Sequence, residues 1–153
     1  MPYVDHMVAK VLVLNGPNLN LLGLREPEIY GRETLDDIRA MLEAEARALK
    51  LTVDFRQTNS EGELIDWIQG ARQGVAGLIL NAGAYTHTSI AVLDALRALS
   101  VPIIEVHLSN VYRRESYRHV SFVSQAATGV IAGLGPHGYV LALQALARLC
   151  DRT

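Results

Sequence analysis

The 153-residue chain has a single cysteine, Cys150, so neither an internal disulfide nor a cysteine-ligated metal cluster can form. Cys150 closes an apolar helical pattern, where a buried bystander is expected rather than a nucleophile. Lysine is also scarce. Lys10 and Lys50 are the only two, and the other twelve of the fourteen basic residues are arginines. No stretch approaches the roughly 20 apolar residues of a membrane-crossing helix, and no N-terminal apolar core resembles a signal peptide. A cytoplasmic protein is therefore expected, without a membrane partner. The net charge of −2 disfavours nucleic acid as a partner. Gly16, Gly23 and Gly31 do not compose GxGxxG, and GxxxxGK[ST] is missing, which disfavours a dinucleotide fold or a phosphate-binding P-loop. His6, His87, His107, His119 and His137 show no HExxH or other tight metal spacing, so no metal is expected. The GxSxG elbow of serine hydrolases is absent too.

Half of the residues are apolar and a fifth are charged, as in ordinary globular proteins. A chain of this length buries about two-thirds of its unfolded surface, enough for one core-forming domain without staples. Residues 8–150 read as that single domain, and Met1–Met7, which lacks periodicity, as a flexible tail. Val8–Leu14 is an apolar run broken only by Lys10 and reads as a buried strand. Asn15–Arg32, rich in Gly, Pro and Asn, reads as a long loop, and such loops in compact domains are usually functional or disordered. Thr34 with Asp37 forms a capping box opening a helix striped with Leu35, Ile38, Met41, Leu42 and Leu49. Leu51–Arg56 alternates like a strand near a sheet edge. Ser60 with Glu63 forms a second capping box before Leu64, Ile65, Ile68 and Ala71. Further strands are expected at Val75–Leu80, Val101–Val106 and Thr128–Leu134. A helix marked by Ile90, Leu93, Leu96 and Leu99 and a final helix over Gly138–Cys150 complete the pattern. Strand–helix alternation implies an α/β fold with a parallel sheet covered on both faces. Five strands fit a flavodoxin-like three-layer α/β/α sandwich of strand order 2-1-3-4-5.

In that order strands one, three and four are neighbours, and ligands bind at the carboxyl ends of such strands, near the switch in order. Three polar segments leave those ends. The first carries Asn15, Asn18, Asn20, Arg25 and Tyr30. The second carries Asn81, Tyr85, Thr86, His87 and Thr88. The third carries His107, Ser109, Asn110, Arg113, Arg114 and Arg118. Each has a bland reading. Asn15-Gly16-Pro17-Asn18 suits a turn by conformation alone. His107 reads as a satisfied core histidine, the arginines with Glu115 as a solvated charged loop, and Tyr30 as a loop anchor. Convergence of all three at one place favours function. Imine chemistry needs a lysine in the pocket, and Lys10 and Lys50 fall away from this end of the sheet. What is left is acid–base chemistry by His and Tyr, with Arg and Asn handling an anion.

These segments resemble a known family. Asn15-Gly16-Pro17-Asn18-Leu19-Asn20-Leu21-Leu22-Gly23, Arg25-Glu26-Pro27 and Tyr30-Gly31 resemble the opening motif of type II 3-dehydroquinate dehydratases. Leu80–Ser89 is similar to their second motif, and Glu105-Val106-His107-Leu108-Ser109-Asn110, followed by Arg114 and Arg118, to their third. Ala127–Ile131 and Gly135–Tyr139 match the closing segment. The resemblance spans Val8 to Leu149. It implies loss of water from 3-dehydroquinate through an enolate, without metal or organic cofactor, by a homododecamer built of trimers. Residue by residue, it makes Tyr30 the base, Arg25 the neighbour that lowers its pKa and Asn18 a holder of the enolate-stabilising water. It makes His107 the acid and Glu105 the partner that fixes its ring. Asn81, His87, Leu108, Ser109 and Arg118 are implied to bind substrate, Arg114 to close the first loop, and Asp94 to reach a neighbouring subunit's site. The chain departs from the pattern at Val120 and Phe122, where a histidine and a tyrosine are expected, which bears on packing rather than activity.

Two further readings stand beside this one. A flavodoxin-like anion-binding module without catalysis has the missing glycine fingerprints against it, and a structural oligomer that has lost catalysis has the joint presence of Tyr30, Arg25 and His107 against it. Biosynthesis of chorismate and aromatic amino acids in the shikimate pathway and breakdown of quinate both use this reaction.

Overall fold

The computed structural model describes residues 8–150; the expected tail at 1–7 lies outside the described residues. Five parallel strands form one sheet: β1 (Ala9–Asn15), β2 (Leu51–Gln57), β3 (Gly77–Asn81), β4 (Ile103–His107) and β5 (Gly129–Ala132), in the order β2-β1-β3-β4-β5. This is the flavodoxin-like arrangement expected from the sequence. The connections carry a four-residue helix α1 (Pro27–Tyr30), then α2 (Leu35–Leu49), α3 (Glu61–Gly70), α4 (Ile90–Arg97) and α5 (His137–Cys150).

Strand alternation explains why the apolar runs look continuous. Successive side chains point to opposite faces, and here both faces are covered. Val11, Val13, Ile79, Ile104 and Val106 pack with Ile38, Leu42 and Ala46 of α2 and Tyr139, Leu143 and Leu146 of α5. Leu12, Leu14, Leu78, Leu80 and Ile103 pack on the other face with Leu64 and Ile68 of α3 and Val92, Ala95 and Leu96 of α4. Gly77 lets α5 come close, since a Cβ there would lie 2.9 Å from Leu146 Cδ2.

Several expectations shift. The first, third and fourth strands run one residue further than their apolar runs, to Asn15, Asn81 and His107. Ladder bonds are made by backbone, so a polar side chain does not end a strand if its own polar atoms find partners. Pro102 lies just before β4, and its carbonyl accepts from Leu78 N–H at 3.0 Å. Gly133, at φ 87°, follows the end of β5, two residues short of the expected boundary. Thr34 and Asp37 form the full reciprocal capping box. Ser60 caps Glu63 N–H at 3.2 Å, but its own N–H donates to Thr58 Oγ1 at 3.0 Å, so the second box is only half formed. Ile90 is exposed; the two-turn α4 begins after its Ser89 cap with Val92, Leu93, Ala95 and Leu96 turned inward. Cys150 is half-buried, with Sγ 3.5 Å from the Ala76 carbonyl oxygen.

Candidate active site

The loop leaving β1 is tied down at its root. Gly16 N–H donates to the Asn81 carbonyl at 2.8 Å, and a Cβ on Gly16 would overlap the Ala82 carbonyl. Asn18 sits in the left-handed region at φ 69° with its N–H on Asn59 Oδ1 at 3.0 Å. Beyond it, Pro27 occupies the first turn of α1, where its missing N–H costs nothing. Tyr30 ends that helix and carries its ring into a cleft of about 580 Å³, open mouth included.

Two guanidinium groups lie close to the Tyr30 ring. Arg25 Cζ lies 5.3 Å from the ring centroid and Arg114 Cζ 5.1 Å, both within cation–π range. They differ in what else they touch. Arg114 Nη1 donates to the Tyr30 hydroxyl at 2.7 Å and to Ser109 Oγ at 3.4 Å, and its side chain is only 11% exposed. The Arg25 side chain is 41% exposed and lies 3.8 Å from Glu26. The cation nearest the phenolic oxygen is therefore Arg114, although the resemblance gives that place to Arg25.

At the end of β4, Glu105 and His107 lie two residues apart and so share a face of the sheet. Both are buried, and His107 Nε2 bonds to Glu105 Oε2. Ser121 Oγ donates to the same oxygen at 2.8 Å, and Ser124 Oγ donates to Oε1. Burial alone would raise the Glu105 pKa, but the bonds from His107, Ser124 and Ser121 outweigh it and hold the carboxyl below its ordinary range. A charged Glu105 behind Nε2 leaves Nδ1 as the ring atom available to the cleft that His107 lines.

His87, in the turn after β3, stacks near His107 with ring centroids 6.3 Å apart. Its Nδ1 donates to the Val120 carbonyl at 2.7 Å. Burial, with smaller contributions from His107 and Arg118, holds its pKa below the ordinary histidine value. The neutral ring so tautomerised presents Nε2 as an acceptor. Val120 thus acts through its backbone, which is why a departure in its side chain leaves this contact intact. Asn81 Nδ2 donates to Tyr139 Oη at 2.9 Å, and Tyr139 Oη donates to Asn15 Oδ1 at 2.7 Å. Burial raises the Tyr139 pKa, so this fully buried phenol stays protonated.

Of the residues singled out in the sequence, Asn18, Arg25, Tyr30, Asn81, His87, His107, Leu108, Ser109, Arg114 and Arg118 line this one cleft. Glu105 stands behind His107. Arg118 Nε pairs with Glu115 at 2.8 Å; burial works against the charged guanidinium, but that bond together with attraction to Tyr30, Glu115 and Tyr117 holds its pKa above the ordinary arginine value. Asp94 is exposed on α4 and does not line the cleft. Lys10 and Lys50 do not line it either. Ser121, Ser124 and Tyr139 were not singled out as site residues, since a serine or a core tyrosine carries no distinctive pattern until its partners are known.

The sequence profile of the family described as "Dehydroquinase class II" matches residues 9–147. A protein of Methylobacterium radiotolerans named 3-dehydroquinate dehydratase is 62% identical over 139 residues, covering 91% of this chain and 93% of its own. A Pseudomonas putida protein named 3-dehydroquinate dehydratase 2 is 60% identical over 139 residues, covering 91% and 93%. Among solved structures, a type II dehydroquinase from Propionibacterium acnes is 50% identical with a TM-score of 0.90, covering 94% of this chain and 99% of that one. With nearly its whole length matched at such identity, and with the motif residues gathered in one cleft, the chain belongs to the class II dehydroquinase family.

Proposed function

We propose that this cleft removes water from 3-dehydroquinate to give 3-dehydroshikimate, with Tyr30 as base and His107 as acid and without metal or organic cofactor. The observation that carries the reading is the pairing, within one cleft, of a phenol oxygen held by a largely buried guanidinium and an imidazole backed by an ionised carboxylate. Two cations against the Tyr30 ring stabilise negative charge on its oxygen. Tyr30 then takes the proton from the carbon next to the ketone, and the C–H electron pair becomes an enolate. The enolate is where charge develops, so fixed donors belong there, and Asn18, which lines the cleft, holds a water at that oxygen in this reading. Collapse of the enolate breaks the bond to the hydroxyl, which leaves as water with a proton from His107. Hydroxide leaves poorly, and a positioned acid contributes about 10²–10⁴-fold. Glu105 stabilises the charged ring before it gives up the proton.

The remaining lining residues hold the substrate. His87 Nε2, as an acceptor, suits a hydroxyl, and Arg118 suits the carboxylate. Asn81, Leu108 and Ser109 complete the wall, Arg114 ties the β1 loop to the β4 loop, and Asp94 serves a neighbouring copy's cleft. The working form is a homododecamer of trimers, in the cytoplasm, in the shikimate pathway.

Turnover of 3-dehydroquinate, followed by ultraviolet absorbance of the enone product, tests the reading. Activity is expected to persist with EDTA and after borohydride treatment. Tyr30→Phe should lower kcat by about 10²–10⁴-fold while retaining affinity for a product analogue. Absence of turnover by folded wild-type protein would point to an anion-binding module, and an active Tyr30→Phe would remove the base assignment.

A further inference from the structure

One short segment braces both cleft histidines from behind. Val120 gives its carbonyl to His87 Nδ1, and Ser121 and Ser124 give their hydroxyls to Glu105. We propose that Ser121 and Ser124 are positioning residues for the dehydration, fixing the Glu105 carboxylate so that it holds the His107 ring with Nδ1 toward the substrate. The proposal rests on the reading of His107 as the acid.

The geometry is specific. A carboxylate turns easily about its last side-chain torsion, because that torsion is broad and two-fold. Here each serine binds a different oxygen, so the plane cannot turn without breaking a bond. Ser124 N–H also donates to Ser121 Oγ at 3.0 Å, which leaves the Ser121 hydrogen for Glu105. Three donors meet two carboxylate oxygens, a set that a protonated carboxyl would satisfy poorly. Ser124 is solvent-exposed as a residue, yet its hydroxyl turns inward rather than to water.

The segment itself is anchored on both sides. Phe122 N–H donates to the Thr86 carbonyl at 2.9 Å, in the turn that carries His87. Val123 is fully buried in the core layer with Val92 and Leu96, and its carbonyl accepts from Ala126 and Ala127 N–H, both at 3.0 Å. The brace is therefore part of the rigid scaffold, as a support for site geometry must be.

The test compares wild type, the double variant S121A/S124A, the conservative double variant S121T/S124T, and H107A, by kcat and KM across pH and by thermal unfolding. The double alanine variant is expected to lose about tenfold or more in kcat, the scale of a hydrogen bond to a charged group, with KM little changed. Its acidic limb should move to higher pH, because a carboxylate with fewer donors protonates sooner. Among the described residues, Glu105 pairs in the sheet with apolar Leu80 and Val130. The titratable or charged groups around it are His107 on its own strand, His87 in the turn after β3, and Arg118 near His87. The threonine variant keeps both hydroxyls and should recover most of the kcat and the original limb. If the double alanine variant melts early, S124A alone carries the test by the same two criteria, since Ser124 is the more exposed of the two residues. Wild-type kcat and pH profile in the alanine variants, with H107A inactive, would overturn the brace and leave the acid in place. An active H107A would overturn both.

Discussion

Tyr30 illustrates how a residue's role depends on partners far along the chain. Its hydroxyl bonds to Arg114, 84 positions away, while Arg25, five positions away, lies over the ring. Of the two cations, the less exposed Arg114 is the less screened by water. Glu105 shows the same dependence in its ionisation. Its pKa is held below the ordinary glutamate value of 4.5, so the stability it contributes is fully present above that value and is lost as pH falls through the lower, folded-state pKa. Thermal unfolding from neutral pH downward should therefore show wild type losing its advantage over Glu105→Gln below about pH 4.5. Parallel curves for the two proteins would show that the carboxylate charge contributes nothing to folding stability.

At the scale of elements, the site is assembled where β1, β3 and β4 end side by side. Asn15 pairs with Asn81 in the ladder, and their side chains meet through Tyr139 of α5. The two loops that follow touch backbone to backbone. Gly16 faces the Ala82 carbonyl, and Gly83, at φ 59°, would place a Cβ 3.0 Å from the Pro17 carbonyl oxygen. Gly16→Ala should therefore push the β1 loop away from the β3 loop, at a cost of about 1–3 kcal/mol in stability, as for other overpacking changes. Because the displaced loop carries Asn18, KM should rise as well. Unchanged unfolding and KM would mean that the loops separate without consequence.

In the whole molecule, two apolar layers clamp the sheet and leave its carboxyl end free for polar groups. Asp94 and Ile90 face outward from α4, the helix that starts just after the His87 turn. An exposed carboxylate and an exposed isoleucine on a helix next to the cleft suit the proposed packing of one copy against another. Light scattering is expected to give the mass of twelve chains, and Asp94→Ala to raise KM in the assembled protein. A monomer with full activity would remove both Asp94 and the dodecamer from the reading.

Periodicity and turn chemistry carried the strand order, the Thr34 cap and the convergence of three polar segments, because each depends on nearest neighbours in sequence or on the general handedness of parallel crossovers. That convergence also named Tyr30, His107 and most of the residues that line the cleft, while the resemblance added Leu108 and the role implied for each. Strand ends slipped by a residue because backbone pairing extends past the last apolar side chain. The Ser60 box was half right because Thr58, two residues upstream, competes for the same N–H. Only the folded chain decided which arginine meets the Tyr30 oxygen, that Val120 acts through its carbonyl, and that Ser121 and Ser124 hold Glu105. Those contacts join residues distant in sequence through single hydrogen bonds, and a local pattern does not encode a partner that arrives only when the sheet closes the distance.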